Sequence, residues 1–355
     1  MEDMDRDRKK DLLSREIRHI DITGFDARPI IDAYEHMAFQ ARNLAHAAKL
    51  YDKMLADTDC AIILCLAGSL VSAGLKTVLH QMVKNNMVDA IVSTGAIIVD
   101  QDFFEGLGFK HYRGIPFIDD EMLRQIMIDR IYDTFIDEEQ LRECDMTIAR
   151  IADELEPRPY SSREFIREMG RYLAERNVGG GSVVLESYRQ GVPIFVPAFS
   201  DCSAGFGLVY HQYHRQGQPQ VSMDSARDFL ELTEIKTHVP DTGLLMIGGG
   251  VPKNFAQDVT VAADIIGQPA HMHKYAIQVT VADERDGGLS GSTLKEAHSW
   301  GKVDSSAEQM VFCEATIALP LIASYAYHQG SWRQRTPRRF NAWLDERSKQ
   351  PVTER

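Results

Sequence analysis

Apolar positions recur at helical spacing over residues 29–55. Ile30, Ile31, Tyr34, Met37, Ala38, Ala41, Leu44, Ala47 and Leu50 fall on one face, which predicts an amphipathic helix. The pattern then changes. Residues 60–68 read CAIILCLAG, an unbroken apolar run closed by glycine, as in a strand buried on both faces. Helical spacing returns over 69–86, and residues 90–93 (AIVS) form the next apolar run. Strand, glycine turn, helix, strand is a βαβ unit. From about 118 to 176 the pattern is helical. Asp137 is placed to cap one helix there. Ser161-Ser162-Arg163-Glu164 resembles a capping box opening another, with Phe165, Ile166, Met169, Tyr172 and Leu173 on its apolar face. Alternation resumes after Gly179-Gly180-Gly181. A helix is expected over 182–190, ended by Gly191, and strands over 192–199, 244–247, 275–281 and 310–313. An Ala-rich helix is expected over 314–328.

This alternation predicts an α/β fold: a doubly wound, mostly parallel, Rossmann-like sheet with helices on both faces. The expected organisation is a charged N-terminal arm (1–25) and one α/β domain (26–330) carrying a helical insertion at about 118–176. A polar, Arg-rich tail (331–355) follows, with a docking helix in it. There is no internal repeat and no low-complexity linker. In such sheets ligands bind beyond the carboxyl ends of the strands. The chemically notable residues follow those ends: Gly68 to Ser72, Ser93 to Gln101, Asp201, Gly248 to Asp258, Asp286 to Lys302, and Glu314. One site is therefore expected.

Composition narrows the partners. The 355 residues are 44% hydrophobic and carry a net charge of −13. That charge argues against a nucleic-acid partner and suits cationic ligands. No apolar run reaches about 18 residues, so no membrane span is expected. The N-terminus is charged throughout, without the apolar core of a secretory signal, so a cytoplasmic location is expected. The five cysteines are scattered, several in apolar runs, as reduced core residues are. His271 with His273, and His211 with His214, come without a third ligand at zinc-like spacing, and no metal is expected.

Gly68-Ser69-Leu70-Val71-Ser72 puts backbone N–H groups and hydroxyls at a helix start, which suits a phosphate. It is not a GxGxxG fingerprint, and a plain tight turn is the alternative. Asp100 and Asp102 lie beyond a strand, where acids hold an amine or serve a helix N-terminus. GGGVPKNFAQD (248–258) is either a tight strand-to-helix connection or a rim carrying Lys253 and Asn254. The densest stretch is DGGLSGSTLKEAHSWGK (286–302), a Gly/Ser loop closing as a short helix. It holds Asp286, Ser290, Glu296, Ser299, Trp300 and Lys302. A lysine becomes a nucleophile once it loses its proton, and an adjacent indole disfavours the ammonium while its face can hold a substrate cation. A surface loop with an ordinary lysine is the alternative.

Asp-Gly-x-x-Ser-Gly followed by Glu-Ala-x-Ser-Trp-Gly-Lys resembles the active-site segment of the deoxyhypusine synthase family. The resemblance covers nearly the whole chain after about residue 25. It implies NAD as cofactor, held by Gly68, Ser69, Ser72, Thr94, Gly95, Asp201, Ala282, Glu314 and Ala315. It implies a polyamine substrate held by Asp100, Asn254, Asp286, Gly287, Gly288, Ser290, Glu296 and Trp300. Lys302 matches the lysine that forms an imine with a butylamine fragment of spermidine. The acceptor the family implies is a lysine of the hypusine-bearing translation factor, and its members are homotetramers with sites at a dimer interface. Several positions depart from the eukaryotic pattern. Asp100-Gln101 stands for two adjacent glutamates. Asn254 replaces a proton-shuttling histidine, Asp258 an asparagine, Phe206 an acid that anchors spermidine, and Ser69 an asparagine. These changes keep two alternatives open: transfer to a small amine such as putrescine, making homospermidine, and a non-catalytic NAD- or polyamine-binding protein.

Overall fold

The computed structural model describes residues 2–349. Its centre is a six-stranded, all-parallel sheet of β1 (Cys60–Leu66), β2 (Ala90–Ser93), β3 (Ile194–Phe195), β4 (Asp241–Ile247), β5 (Tyr275–Thr280) and β6 (Glu308–Phe312). Their spatial order is β6-β5-β4-β1-β2-β3. The chain starts in the middle, builds outward to β3, returns beside β1 and builds to the other edge. That is the doubly wound order, and its direction switches between β1 and β4, where a crevice opens at the strand ends.

Side chains alternate along β1. Ile62, Leu64 and Leu66 join one core with helices Phe39–Ala56, Ser162–Glu175 and Ala315–Gln329, among others. Ala61, Ile63 and Cys65 join a second core under helices Ser225–His238, Gly250–Ile265 and Phe340–Arg347. Burial on both faces explains the continuous apolar runs. The C-terminal helix Phe340–Arg347 sinks Phe340 and Leu344 into the second core. Among the described residues no helix is long and apolar enough to cross a membrane.

Some elements differ from the sequence pattern. The helix expected over 29–55 is two helices, Arg28–Glu35 and Phe39–Ala56. Extended Ala38 and left-handed Phe39 break it, with neither glycine nor proline to announce the break. The stretch 118–176 is not wholly helical. It holds strands Ile128–Ile131 and Thr134–Asp137, which with His111–Arg113 make a small antiparallel sheet. These strands are short and charged, and Tyr132 takes the left-handed turn position where glycine or asparagine is usual. The caps in this stretch do form: Asp137 accepts from Glu139 N–H at 3.0 Å, and Ser161 and Glu164 close a capping box. β3 pairs over two residues only, because Pro193 and Pro197 flank it and have no N–H to donate.

A buried ion pair ties the C-terminal segment to the sheet. Arg335 donates to Asp89, whose other bond, from Ile62 N–H at 2.7 Å, sits at the edge of β1. Removing Arg335 leaves the buried carboxylate with Arg338 alone, its Nε 3.8 Å from Asp89 Oδ1, and breaking such a buried pair costs about 3–5 kcal/mol. Arg335→Ala is therefore expected to lower the chemical denaturation midpoint by that equivalent. Removing the exposed Arg124 from its pair with Glu121 should leave the midpoint in place.

Candidate active site

Four strand ends converge on one cavity of about 1750 Å3. Beyond β1, Gly68, Ser69 and Ser72 line it. Beyond β4, Gly248 and Gly249 do. Ala282 and Ser290 follow β5, and Glu314 and Ala315 follow β6. Residues 14–18 of the N-terminal segment close it from outside, with Arg113 and Tyr132 of the small sheet. Gly68 is left-handed at φ +96°, a conformation that side chains resist, so the chain turns back at once after β1.

The glycine after β4 has a different reason. A Cβ on Gly249 would collide with Ser290 Cα. The absent side chain lets the 286–302 loop lie directly on the turn after β4. The loop is pinned there three times. Gln278 Nε2 and Thr280 Oγ1 of β5 each donate to Ser290 O at 3.1 Å. From below, Lys253 Nζ donates to Leu289 O at 3.1 Å, to Ser292 Oγ at 2.8 Å and to Ser292 O. Lys253 is buried, and burial is the chief reason its ammonium is pushed down to about 8. Glu296 opposes that shift and Lys302 adds to it.

Lys302 closes the loop, its side chain 13% exposed. Its Nζ lies 2.5 Å from Asp258 Oδ1 and 5.3 Å from the Trp300 ring. Asn254, one turn earlier on helix Gly250–Ile265, donates Nδ2–H to Asp258 Oδ2 at 2.7 Å. The sequence pattern pointed to an indole drying the amine. Trp300 is instead 66% exposed, and the amine's immediate partner is a carboxylate. Asp286 accepts from Gly288 N–H at 2.6 Å, an Asx turn that shapes the loop. Thr293 Oγ1 caps the short helix Leu294–Ser299 through Glu296 N–H at 3.1 Å.

Of this loop Ser290 alone lines the cavity; Asp286, Gly287, Gly288, Glu296, Trp300 and Lys302 lie outside its lining, as does Asn254. The remaining residues singled out by sequence stand elsewhere. Asp100 Oδ1 accepts from Ser203 N–H at 2.7 Å, and burial pushes its carboxyl up to about 7. Gly95 packs on Cys202, with Thr94 beside it, and exposed Asp201 precedes that cysteine. These four group around the end of β2 rather than lining the cavity. Asp102 is buried and caps helix Val183–Gln190, taking N–H bonds from Val183 and Val184 at 2.8 and 2.9 Å. The phosphate turn needs a correction. The N–H groups of Val71 and Ser72 are bound to Gln101 Oε1, at 3.1 and 3.0 Å, and Ser72 Oγ donates to Ser69 O at 3.0 Å. A ligand there would meet the turn nearer Gly68 and Ser69. His273 is a core residue: Nδ1 lies 2.8 Å from Thr242 Oγ1 and Nε2 3.0 Å from Ala256 O.

Two features escaped the sequence reading. Asp258 was visible only as a departure from a pattern, although its place four residues after Asn254 puts both on one helix face. The N-terminal segment's part in closing the cavity left no local signal. It is held from afar, by Ile17 N–H to His111 O at 2.8 Å, Ile20 N–H to Gly74 O at 3.1 Å and His19 Nε2 to Glu105 at 2.8 Å.

Comparison with known proteins places this geometry. A family model described as Deoxyhypusine synthase matches residues 29–326. A deoxyhypusine synthase-like protein of Chlorobaculum tepidum is 61% identical over 338 residues, 95% of this chain and 96% of its own. A Methanosarcina mazei protein named for deoxyhypusine synthase is 41% identical over 311 residues, 87% and 89% of the two chains. The crystal structure of an Entamoeba histolytica protein named for the same enzyme superposes with a TM-score of 0.59 at 19% identity, covering 88% and 97%. The last likeness speaks for the fold alone.

Lys253 yields a pH signature. Between about pH 8 and the ordinary lysine value of 10.5, the unfolded chain binds a proton that the folded Lys253 has released. Stability therefore rises with pH across that window. Denaturation of the wild type and Lys253→Met at pH 8 and pH 10 should show a smaller rise in the variant. Lys236, pushed down to about 8 by burial, contributes equally to both proteins.

Proposed function

The chain belongs to the deoxyhypusine synthase family, and from that premise we propose that it is an NAD-dependent transferase of the 4-aminobutyl group of spermidine. The group passes through an imine on Lys302 to an amine acceptor, the lysine of the hypusine-bearing translation factor. One observation carries this reading: the loop that ends in Lys302 lies, through Ser290, directly on Gly249 and joins the wall of the cavity at the β1–β4 crevice.

The cavity fits a dinucleotide. Its volume exceeds the roughly 300–1,000 Å3 usual for small-molecule pockets, and the left-handed glycines Gly68 and Gly248 keep backbone exposed at the crevice. Gly68 and Ser69 would hold the cofactor with Ala282, Glu314 and Ala315, Ser72 bordering it with its N–H and hydroxyl already bonded; Thr94, Gly95 and Asp201, outside the cavity lining at the end of β2, would reach it only at the margin. Bound there, the nicotinamide would supply reversible hydride acceptance for the carbon beside the secondary amine of spermidine.

The chain's own residues do the rest. Lys302 adds to the oxidised carbon, and 1,3-diaminopropane leaves. Glu296, Asp286 and Trp300 orient the cationic chain by charge and by cation–π attraction, with Gly287, Gly288 and Ser290 shaping the loop around it. Asn254, bonded to Asp258 beside Lys302, would border the substrate there, and Asp100, held by Ser203 N–H at the end of β2, would meet it only from that end. A small-amine acceptor such as putrescine is the second reading. It is motivated by the departures from the family pattern at Asn254 and Phe206, the latter an exposed apolar residue where an acid would anchor one end of spermidine. The exposed apolar face of helix Ser203–His214, with Val209, Tyr210 and Tyr213, supports assembly into a homotetramer.

Lys302→Ala is expected to abolish transfer of the aminobutyl group to an acceptor while NAD still binds. Polyamine chromatography after incubation with NAD, spermidine and putrescine reads this, and calorimetry reads the cofactor. Homospermidine formed by the wild type would select the small-amine acceptor. Undiminished turnover in the variant would exclude the imine.

A further inference from the structure

Among the described residues, the one carboxylate within ion-pair distance of Lys302 Nζ is that of Asp258, at 2.5 Å. Its other oxygen is fixed by Asn254 Nδ2–H at 2.7 Å. The two residues stand one helical turn apart, so the carboxylate is held in place from its own helix rather than from the mobile end of a long side chain. Asp258 is about one-third exposed and Lys302 less, so the pair borders solvent. The charged groups near it are Lys253, on the same helix, and Glu296, on the short helix; Glu296 and Lys302 both act on Lys253 through charge. His298 is turned away, with Nδ1 2.8 Å from Val303 O.

We propose that Asp258 is the counter-ion of the lysine imine. This rests on the reading that Lys302 forms that imine. An imine is electrophilic when its nitrogen is protonated, and a carboxylate against that nitrogen favours the protonated form. Lys302 nitrogen keeps its place beside Asp258 whether it is an ammonium or an iminium, because both are cations. When an acceptor amine adds, its lone pair forms the new C–N bond and the C=N pair returns to the lysine nitrogen. The proton shed by the acceptor nitrogen passes through Asp258 to the lysine nitrogen. The bond from carbon to Lys302 then breaks, the lysine leaving as a free amine and the acceptor carrying the iminium. Charge and protons balance, and the carboxylate ends as it began. Asp258 thus supplies proton transfer at a site where Asn254 cannot, since an amide has no titratable proton near neutral pH.

The test needs neither hydride transfer nor spermidine. Full-length protein with NAD is incubated with [1-13C]butanal, and the adduct is reduced with borohydride and located by peptide mass spectrometry. The imine carbon resonance is then followed against pH in the wild type, Asp258→Asn and Asp258→Glu. In the wild type the adduct forms on Lys302. The asparagine variant should lower the pH at which the iminium deprotonates by about 1–3 units, and glutamate should restore most of the shift. Identical titration in the wild type and Asp258→Asn, with both melting alike, would overturn the counter-ion role and leave the lysine imine standing. Absence of any Lys302 adduct in the wild type would overturn the imine reading as well.

Discussion

The site depends on a contact made possible by a missing side chain. Gly249 carries no Cβ, so Ser290 can rest its backbone on the turn after β4. That one approach brings a loop from beyond β5 over the crevice between β1 and β4, the place where a doubly wound sheet leaves its strand ends open. Lys253 holds the same loop from beneath with three oxygen contacts. A buried amine held by neutral oxygens is an expensive anchor, and the lowered ammonium is the measure of that expense. With the loop fixed at Leu289, Ser290 and Ser292, the short helix after it can set Lys302 against Asp258.

Polar clusters fasten the chain's two ends to the same body. Glu105, almost wholly buried, receives His19, His111 and Lys76, which gathers the N-terminal segment, the small antiparallel sheet and the helix after β1 around one carboxylate. On the opposite side Arg163 reaches Glu231, Asn341 and Asp345, joining two core helices to the C-terminal one. Each cluster pairs its charges and bonds its fork or its oxygens several times over, as buried ions require. The N-terminal segment can therefore serve as a wall of the cavity although it contributes little apolar surface.

The order of strands was readable because β1 and most of β4 and β5 are buried on both faces and so largely apolar, and because glycines follow β1 and β4. The Asp286 to Lys302 stretch was readable from its density of polar groups. What sequence could not carry was pairing at a distance. Asp258 reads as an ordinary helical acid until the fold brings Lys302 to it from 44 residues on (302 − 258). Gln101 looked like a lost acid, yet its amide oxygen satisfies two N–H groups of the turn after β1. The antiparallel strands were missed because their turn uses tyrosine where glycine is the usual mark, and the break at Ala38 because nothing in the residues announces it.

The doubly wound order also has a history in time. β1 pairs with β4 along all seven of its residues, from Cys60 against Asp241 to Leu66 against Ile247. As the chain emerges from a ribosome, β1 and β2 can pair early, but the other edge of β1 waits for about 175 more residues (241 − 66). At roughly 5–20 residues per second that interval is on the order of ten to thirty seconds. Throughout it the nascent chain presents an unpaired, wholly apolar strand edge, the kind of surface that seeds association between chains. Arg335, which reaches Asp89 beside that strand, arrives later still. Synthesis of this protein is thus a race between elongation and aggregation, decided when β4 docks.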